Sequence, residues 1–326
     1  MDNRQTIELG ISLNNSCNFH CQMCHIWSQD GSENRLNLEK CCSVIEDLSK
    51  FKVKSVRLSG GDPLLTSWAL DLAKYIHRKG YSCVMTTNGS MITESFAKRI
   101  IAAGISNLNL SLDGYTAGLH DRIRGAAGSY QKIIEAIEYL STRSNGLHIG
   151  INTVISNLNL HEIIPLMEMV QADTRIDYIY FMAVMQPFGT PLDRKWFQKD
   201  KFQLLWPKDV KNIDSLFKRL INFKKSGYKI NNSSAQLRTF CDYFVNPFDF
   251  TKKNKCTLGQ QALEINQLGD VYLCYTHEPI GNIFNDSLYE IWQSEKANIV
   301  RQKINNCRQN CNLLINCYFE DEDVSA

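Results

Sequence analysis

From Glu8 to about Tyr180 the chain alternates short β-type runs with amphipathic helical runs, each ended by turn residues. This rhythm restricts the fold more than any other feature, because strands separated by helical crossovers pair in parallel. The strand candidates are Glu8 to Leu13, Ser55 to Ser59, Ser82 to Thr86, Asn107 to Leu112, His148 to Ile155 and Tyr178 to Val184. Asn37, Thr93, Ser129 and Asn159 stand where helix N-caps are expected, and Glu162 follows Asn159 at capping-box spacing. Gly80 and Gly104 occupy C-cap positions. Six parallel strands make a barrel or part of one, although the same elements can form an open doubly wound sheet.

The stretch from Gln186 to Asn254 is less regular. It holds one clear helix, Lys208 to Ser226, with Val210, Ile213, Phe217, Leu220 and Ile221 on a single face, and it reads as a bridge or lid. A tail with Cys256, Cys274, Cys307, Cys311 and Cys317 follows, interrupted by an amphipathic helix from about Ser287 to Ile304. The expected division is therefore a barrel over 1–185, a bridging or lid region over 186–254 and a smaller cysteine-rich module over 255–326.

With 326 residues, 44% of them hydrophobic and 21% charged, the chain can bury an ordinary core, and its net charge of +2 gives no electrostatic reason to expect nucleic acid or an anionic membrane as partner. The longest apolar run, Tyr178 to Met185, falls far short of the roughly 20 residues that cross a bilayer. The polar start, Met1-Asp2-Asn3-Arg4-Gln5, lacks the apolar core of a secretory signal, so the expected location is the cytoplasm. In a reducing compartment the twelve cysteines are expected to bind metal or do redox chemistry rather than form disulfides.

Three of them, Cys17, Cys21 and Cys24, fall within eight residues directly after the first β-run. A tight loop can wrap three thiolates around one inorganic centre. They can hold three irons of a 4Fe-4S cluster and leave the fourth iron open for reaction. The same thiols with His20 or His25 can instead close a zinc site of Cys₃His type. Other motifs bear on the choice. Ser59-Gly60-Gly61-Asp62-Pro63 is an ordinary tight turn, or a place where a side-chain-free backbone meets a ligand.

Cys17-x3-Cys21-x2-Cys24 at the end of a first strand resembles the hallmark of the radical S-adenosylmethionine (SAM) superfamily, whose fold is a partial (β/α)6 TIM-type barrel. Met23 departs from the aromatic residue usual before the last cysteine. The Gly60-Gly61-Asp62-Pro63 turn is similar to the family's Gly-Gly-Glu-Pro, with carbonyls that meet the amino group of SAM. Thr87-Asn88-Gly89 and the stretch from Ser111 to Gly125 fall in the family's order. The resemblance implies a SAM site lined by Gly60, Gly61, Asp62, Asn88, Ser111, Arg124 and Asn152, with Ser111 and Arg124 on the methionine carboxylate and Asn152 near the ribose. The other reading of Arg124 is a loop arginine in a solvated pair with Asp121.

In the tail, Cys256-x12-Gly269-x4-Cys274 resembles the opening of the SPASM and twitch auxiliary-cluster domains. Gly281-Asn282-Ile283 and Ser287 to Trp292 resemble the segment joining that domain's halves. The close departs from a full SPASM domain, since Cys307-x3-Cys311-x5-Cys317 is followed by acidic residues. One auxiliary 4Fe-4S cluster on Cys256, Cys274 and two of the last three cysteines is expected, with Asp321 the candidate non-cysteine ligand for a second; a structural zinc ribbon is the other reading. Cys83, Cys41 and Cys42 read as small core hydrophobes. Cys241 reads either as packing or as a hydrogen-atom donor facing the substrate.

The resemblance implies an enzyme that reductively cleaves SAM to a 5′-deoxyadenosyl radical and abstracts hydrogen from a substrate, with electrons from a donor such as flavodoxin or ferredoxin. The expected substrate is a peptide or protein residue, and the alternative is dehydrogenation of a small molecule such as a sugar or aminocyclitol. A non-catalytic iron-sulfur or zinc scaffold is the reading from another class. His25, Asp113, Asp177 and Asp242 are candidate proton acceptors.

Overall fold

A computed structural model describes residues 6–29, 31–142, 146–248, 256–311 and 313–317. Its first six strands are β1 (Thr6–Ser12), β2 (Lys52–Ser59), β3 (Cys83–Thr87), β4 (Asn107–Ser111), β5 (His148–Ile155) and β6 (Tyr178–Ala183). Between them run α1 (Leu38–Asp47), α2 (Ala69–Arg78), α3 (Glu94–Ala102), α4 (Ala117–Arg124), α5 (Ser129–Leu140) and α6 (Ile163–Ala172). Each strand pairs in parallel with the next, in the order β6-β5-β4-β3-β2-β1. Every crossover therefore steps in the same direction, without the reversal of strand order that defines a doubly wound sheet. The fold is the partial barrel.

The barrel stays open because both of its edges are occupied. On β1, the free edge is taken by β7 (Ala262–Ile265), which runs parallel to it and continues antiparallel into β8 (Asp270–Tyr272) and β9 (Gly281–Asn282). The cysteine-rich tail thus extends the barrel sheet, to nine strands among the described residues. On the outer edge of β6, backbone from residues 229–231 pairs with Ile179. Two side-chain amides complete the row. Asn232 accepts from Phe181 N at 2.8 Å and donates to Phe181 O at 2.9 Å, and Asn316 does the same for Ala183 at 2.8 and 2.9 Å. Each buried amide acts as a surrogate peptide and satisfies the backbone of β6 where it is out of water.

Strand alternation separates two faces. Ile7, Leu9 and Ile11 of β1 are buried in the common core with Leu72 and Ile76 of α2 and Ile100 of α3, whereas Glu8, Gly10 and Ser12 belong to the lumen face. Two lumen glycines let polar side chains meet across a strand. Gly10 lies in register between Arg57 and Glu264, whose ion pair spans 2.6 Å over it, and a Cβ on Gly10 would lie 2.0 Å from the Glu264 carboxylate. Gly150 lies likewise between Asn109 and Tyr178, whose hydroxyl donates to Asn109 Oδ1 at 2.7 Å.

Several local expectations change. Asn37 and Thr93 cap helices as expected, but α5 is capped by Gly128, while the Ser129 hydroxyl donates to Asp121. Asn159 and Glu162 form no capping box. Asn159 donates to Asp113 O and Val154 O, and Glu162 accepts from Thr116, because tertiary partners outcompete the local cap. In the bridging region, α7 (Val210–Lys225) buries Ile213, Leu216, Phe217 and Leu220 against α8 (Ser234–Val245), leaving Val210 exposed at its first turn. The short α9 (Leu258–Gln261) precedes β7. The helix expected from Ser287 to Ile304 breaks at Ser294 into α10 (Leu288–Gln293) and α11 (Glu295–Asn305), Ser294 ending one and capping the other.

Candidate active site

The loop after β1 carries the triplet, and the glycine turn after β2 braces it. Gly61 N donates to Asn14 O at 3.0 Å and Asp62 N to Ser16 O at 2.9 Å. Gly60 adopts φ of 141°, and a Cβ there would lie 2.4 Å from Asn14 O; one on Gly61 would lie 2.0 Å from Ser16 O. Two glycines are needed for these backbones to pack. Asp62 holds the turn from inside. Its buried carboxylate accepts from Leu64 N, Asn88 N and Thr87 Oγ1 at 2.8 to 2.9 Å, so its charge ties the turn to the end of β3.

Asn88 reaches the triplet directly. Its Nδ2 donates to Asn18 Oδ1 at 2.9 Å and points at Cys17 Sγ at 3.9 Å, and Phe19 N meets the same sulfur at 3.5 Å. From the other side, Gln22 N donates to Ile123 O at 2.9 Å, docking the end of α4 on the loop. Gly125, with φ of 61°, permits this approach, since a Cβ would meet His20 O at 2.4 Å. The bridging region closes a third side, with Cys24 in a β-bridge to Phe188 and His25 N donating to Phe188 O at 3.0 Å. His25 itself packs between Trp27 and Phe202.

Arg124 is buried, and its partner is Asp113 rather than Asp121. Nε and Oδ2 stand 2.7 Å apart, in contact without hydrogen-bond alignment, with Arg124 11% and Asp113 0% exposed. Asp121 instead holds the start of α5 through Gly128 N, Ser129 Oγ and Tyr130 N. Asp113 Oδ1 accepts from Val154 N at 2.7 Å, and Asp113 N donates to His120 Nδ1 at 3.1 Å. Burial beside Arg124 pushes His120 down to about 3, which keeps the ring neutral and able to accept that bond. The Arg124 Nη1 group points at Cys21 Sγ at 3.9 Å. Ser111, the last residue of β4, lies in register with Asn152 of β5. Asp177 sits at the opposite barrel end, accepting from Ile149 N, away from this site.

The three thiols have the ligand chemistry of an iron-sulfur cluster, with N–H donors at two of the sulfurs. Burial raises all three, Cys24 to about 11, while the guanidinium beside Cys21 pulls the other way. Among the described residues, no three His, Cys, Asp or Glu side chains are drawn together closely enough to hold one metal ion. N–H···S donors of the kind seen at Cys17 and Cys21 suit the sulfurs of an iron-sulfur cluster.

In the tail, burial raises Cys256 and Cys274, and neighbouring thiols add to it, Cys274 and Cys307 at Cys256 and Cys307 at Cys274. The remaining two have different neighbours. Cys317 lies against the lumen groups Arg57, Glu264 and Glu8, and Cys311 faces Tyr243. Asp321 lies outside the described residues. Cys83 and Cys41 are core residues, each pushed up to about 12 by burial. Cys241 belongs to the bridging region. It sits half-buried on α8 beside Asp214 and Lys218, an exposed ion pair of α7, because Leu237, Phe240 and Phe244 take the buried face of the helix. Sequence reasoning passed over Asn14, His120 and the Arg57–Glu264 pair; the isolated glycine in β1, Gly10, was the one available signal of close approach.

A one-way parallel barrel whose first loop presents braced thiols defines a cluster-binding enzyme scaffold. The chain belongs to the radical SAM superfamily: the superfamily's model matches residues 11–170, and that of the SPASM iron-sulfur cluster-binding domain matches residues 256–318. It is an enzyme whose cofactors are SAM, a 4Fe-4S cluster and auxiliary iron-sulfur. It is 25% identical to the AdoMet-dependent heme synthase of Nitratidesulfovibrio vulgaris over 86% of this chain and 77% of that protein. It is 24% identical to the PqqA peptide cyclase of Bradyrhizobium diazoefficiens over 88% of this chain and 73% of that protein. Streptococcus suis SuiB bound to S-adenosylmethionine shares the fold, with a TM-score of 0.72 and 18% identity over 99% of this chain and 78% of that one. Among the described residues no helix is long and apolar enough to cross a membrane.

Proposed function

We propose that Cys17, Cys21 and Cys24 hold the SAM-binding cluster, that Gly60, Gly61, Asp62, Asn88, Ser111, Arg124 and Asn152 surround SAM, and that the enzyme takes hydrogen from a peptide or protein residue. The observation that carries this reading is the meeting of the triplet loop with the glycine turn, Asn88 and the Asp113–Arg124 pair at one barrel end. When bound, the cluster and SAM supply one-electron reductive cleavage and hydrogen-atom abstraction. The chain's own residues hold and orient. Asn88 and Phe19 N steady the Cys17 sulfur, Arg124 offers a buried positive charge, and the Phe188 segment holds the Cys24 side of the loop through a β-bridge. The auxiliary cluster takes Cys256, Cys274 and Cys307. We assign its fourth ligand to Cys311, because Asn316 pins the neighbouring Cys317 against β6 in the lumen. Flavodoxin or ferredoxin supplies the electron in the cytoplasm.

The peptide reading is supported by similarity to a peptide cyclase along most of the chain. Similarity to the heme synthases favours the second reading, a small-molecule substrate. Anaerobic reconstitution followed by a reductant-dependent assay for 5′-deoxyadenosine tests the reaction class. Mass spectrometry of candidate substrates then decides between the two readings, and a mass loss confined to a small molecule sinks the peptide one.

A further inference from the structure

Arg124 bridges two groups of opposite demand. Its Nε stands 2.7 Å from the buried Asp113 carboxylate, and its Nη1 points at the Cys21 sulfur at 3.9 Å. The sulfur therefore sees the positive end of the pair. Nothing about this placement is loose. Asp113 is fixed from three directions, by Val154 N on Oδ1 at 2.7 Å, by Asn159 Nδ2 on its carbonyl at 2.9 Å and by His120 under its N–H at 3.1 Å. The end of α4 that carries Arg124 is bonded to the triplet loop through Gln22, and Gly125 leaves room for that approach. Cys17, by contrast, meets the neutral donors Asn88 and Phe19 N.

We propose that Arg124 sets the electron affinity of the cluster on Cys17, Cys21 and Cys24, with Asp113 as the residue that positions it. The inference rests on the reading that the triplet holds that cluster, and it goes beyond any contact of Arg124 with SAM. Charge near a cluster and N–H donors to its sulfurs set its reduction potential. A buried positive charge against one thiolate favours the reduced, more negative state.

The test uses the full chain, reconstituted anaerobically with iron and sulfide and titrated with dithionite under EPR. The signal of the triplet is the one missing from a chain with Cys17, Cys21 and Cys24 changed to Ala. Arg124→Met is expected to lower its midpoint potential, Asp113→Asn to raise it, and Arg124→Lys to leave it near the parent. The double change Asp113→Asn with Arg124→Met leaves no unpaired buried charge, and its midpoint is expected below the parent. Opposite shifts separate electrostatic tuning from mere support of the fold, which would move both single variants the same way. Shifts in one direction, or none, overturn the inference while the cluster reading stands. Absence of any triplet-dependent signal in the parent overturns both.

Discussion

The two cysteine groups of this enzyme are built in opposite ways. Cys17, Cys21 and Cys24 share one eight-residue loop, and the barrel contributes braces around it: the Gly60-Gly61 turn, Asn88 and the end of α4. Cys256, Cys274 and Cys307 are spread along the tail and come near one another where α9 and α11 pack together beside the β7 to β9 extension of the barrel sheet. One site is encoded as a loop that tertiary structure stiffens. The other is created by tertiary structure.

The comparison breaks most plainly under cysteine removal. Changing Cys17, Cys21 and Cys24 to Ala is expected to abolish 5′-deoxyadenosine formation and remove about four irons, with the tail cluster remaining. Changing Cys256 and Cys274 to Ala is expected to remove the tail's iron and leave SAM cleavage by the first cluster measurable. Loss of all iron in either variant would show that the two sites load as one. Next in size is Gly61→Ala. Its Cβ would stand 2.0 Å from the Ser16 carbonyl, so backbone must move, and a destabilisation of about 1–3 kcal/mol is expected together with poor iron loading of the triplet alone. Denaturant unfolding and iron counts check this.

Gly10→Ala probes the join between the two regions. The new methyl would displace the Glu264 carboxylate from Arg57, and the expected cost, about 1–2 kcal/mol, is shared by barrel and tail because β1 pairs with both β2 and β7. Unfolding of the tail while the barrel melts unchanged would contradict the shared sheet. The smallest effect is expected for Cys241→Ser, which touches neither group of cysteines: stability within about 1 kcal/mol of the parent and undiminished 5′-deoxyadenosine formation. A large loss of activity there would return Cys241 to the chemistry.

Much was legible in the chain itself. Residues i and i+2 of a strand, or i and i+4 of a helix, report their own faces, so the six barrel strands and most helices follow from local periodicity, with ends shifted by up to three residues. The triplet was legible for the same reason, since its ligands are neighbours in sequence. What only the folded molecule decided involves partners far apart along the chain. Nothing local tells Arg124 to choose the buried Asp113 over the nearer Asp121, sets Cys241 beside α7, or sends Cys317 into the lumen away from Cys307. Those choices depend on which strand lies beside which, and on where burial makes a charge or an amide require a partner. Pairing of β7 with β1, the glycine under the Arg57–Glu264 pair and the amide-sealed edge of β6 were settled by that long-range geometry.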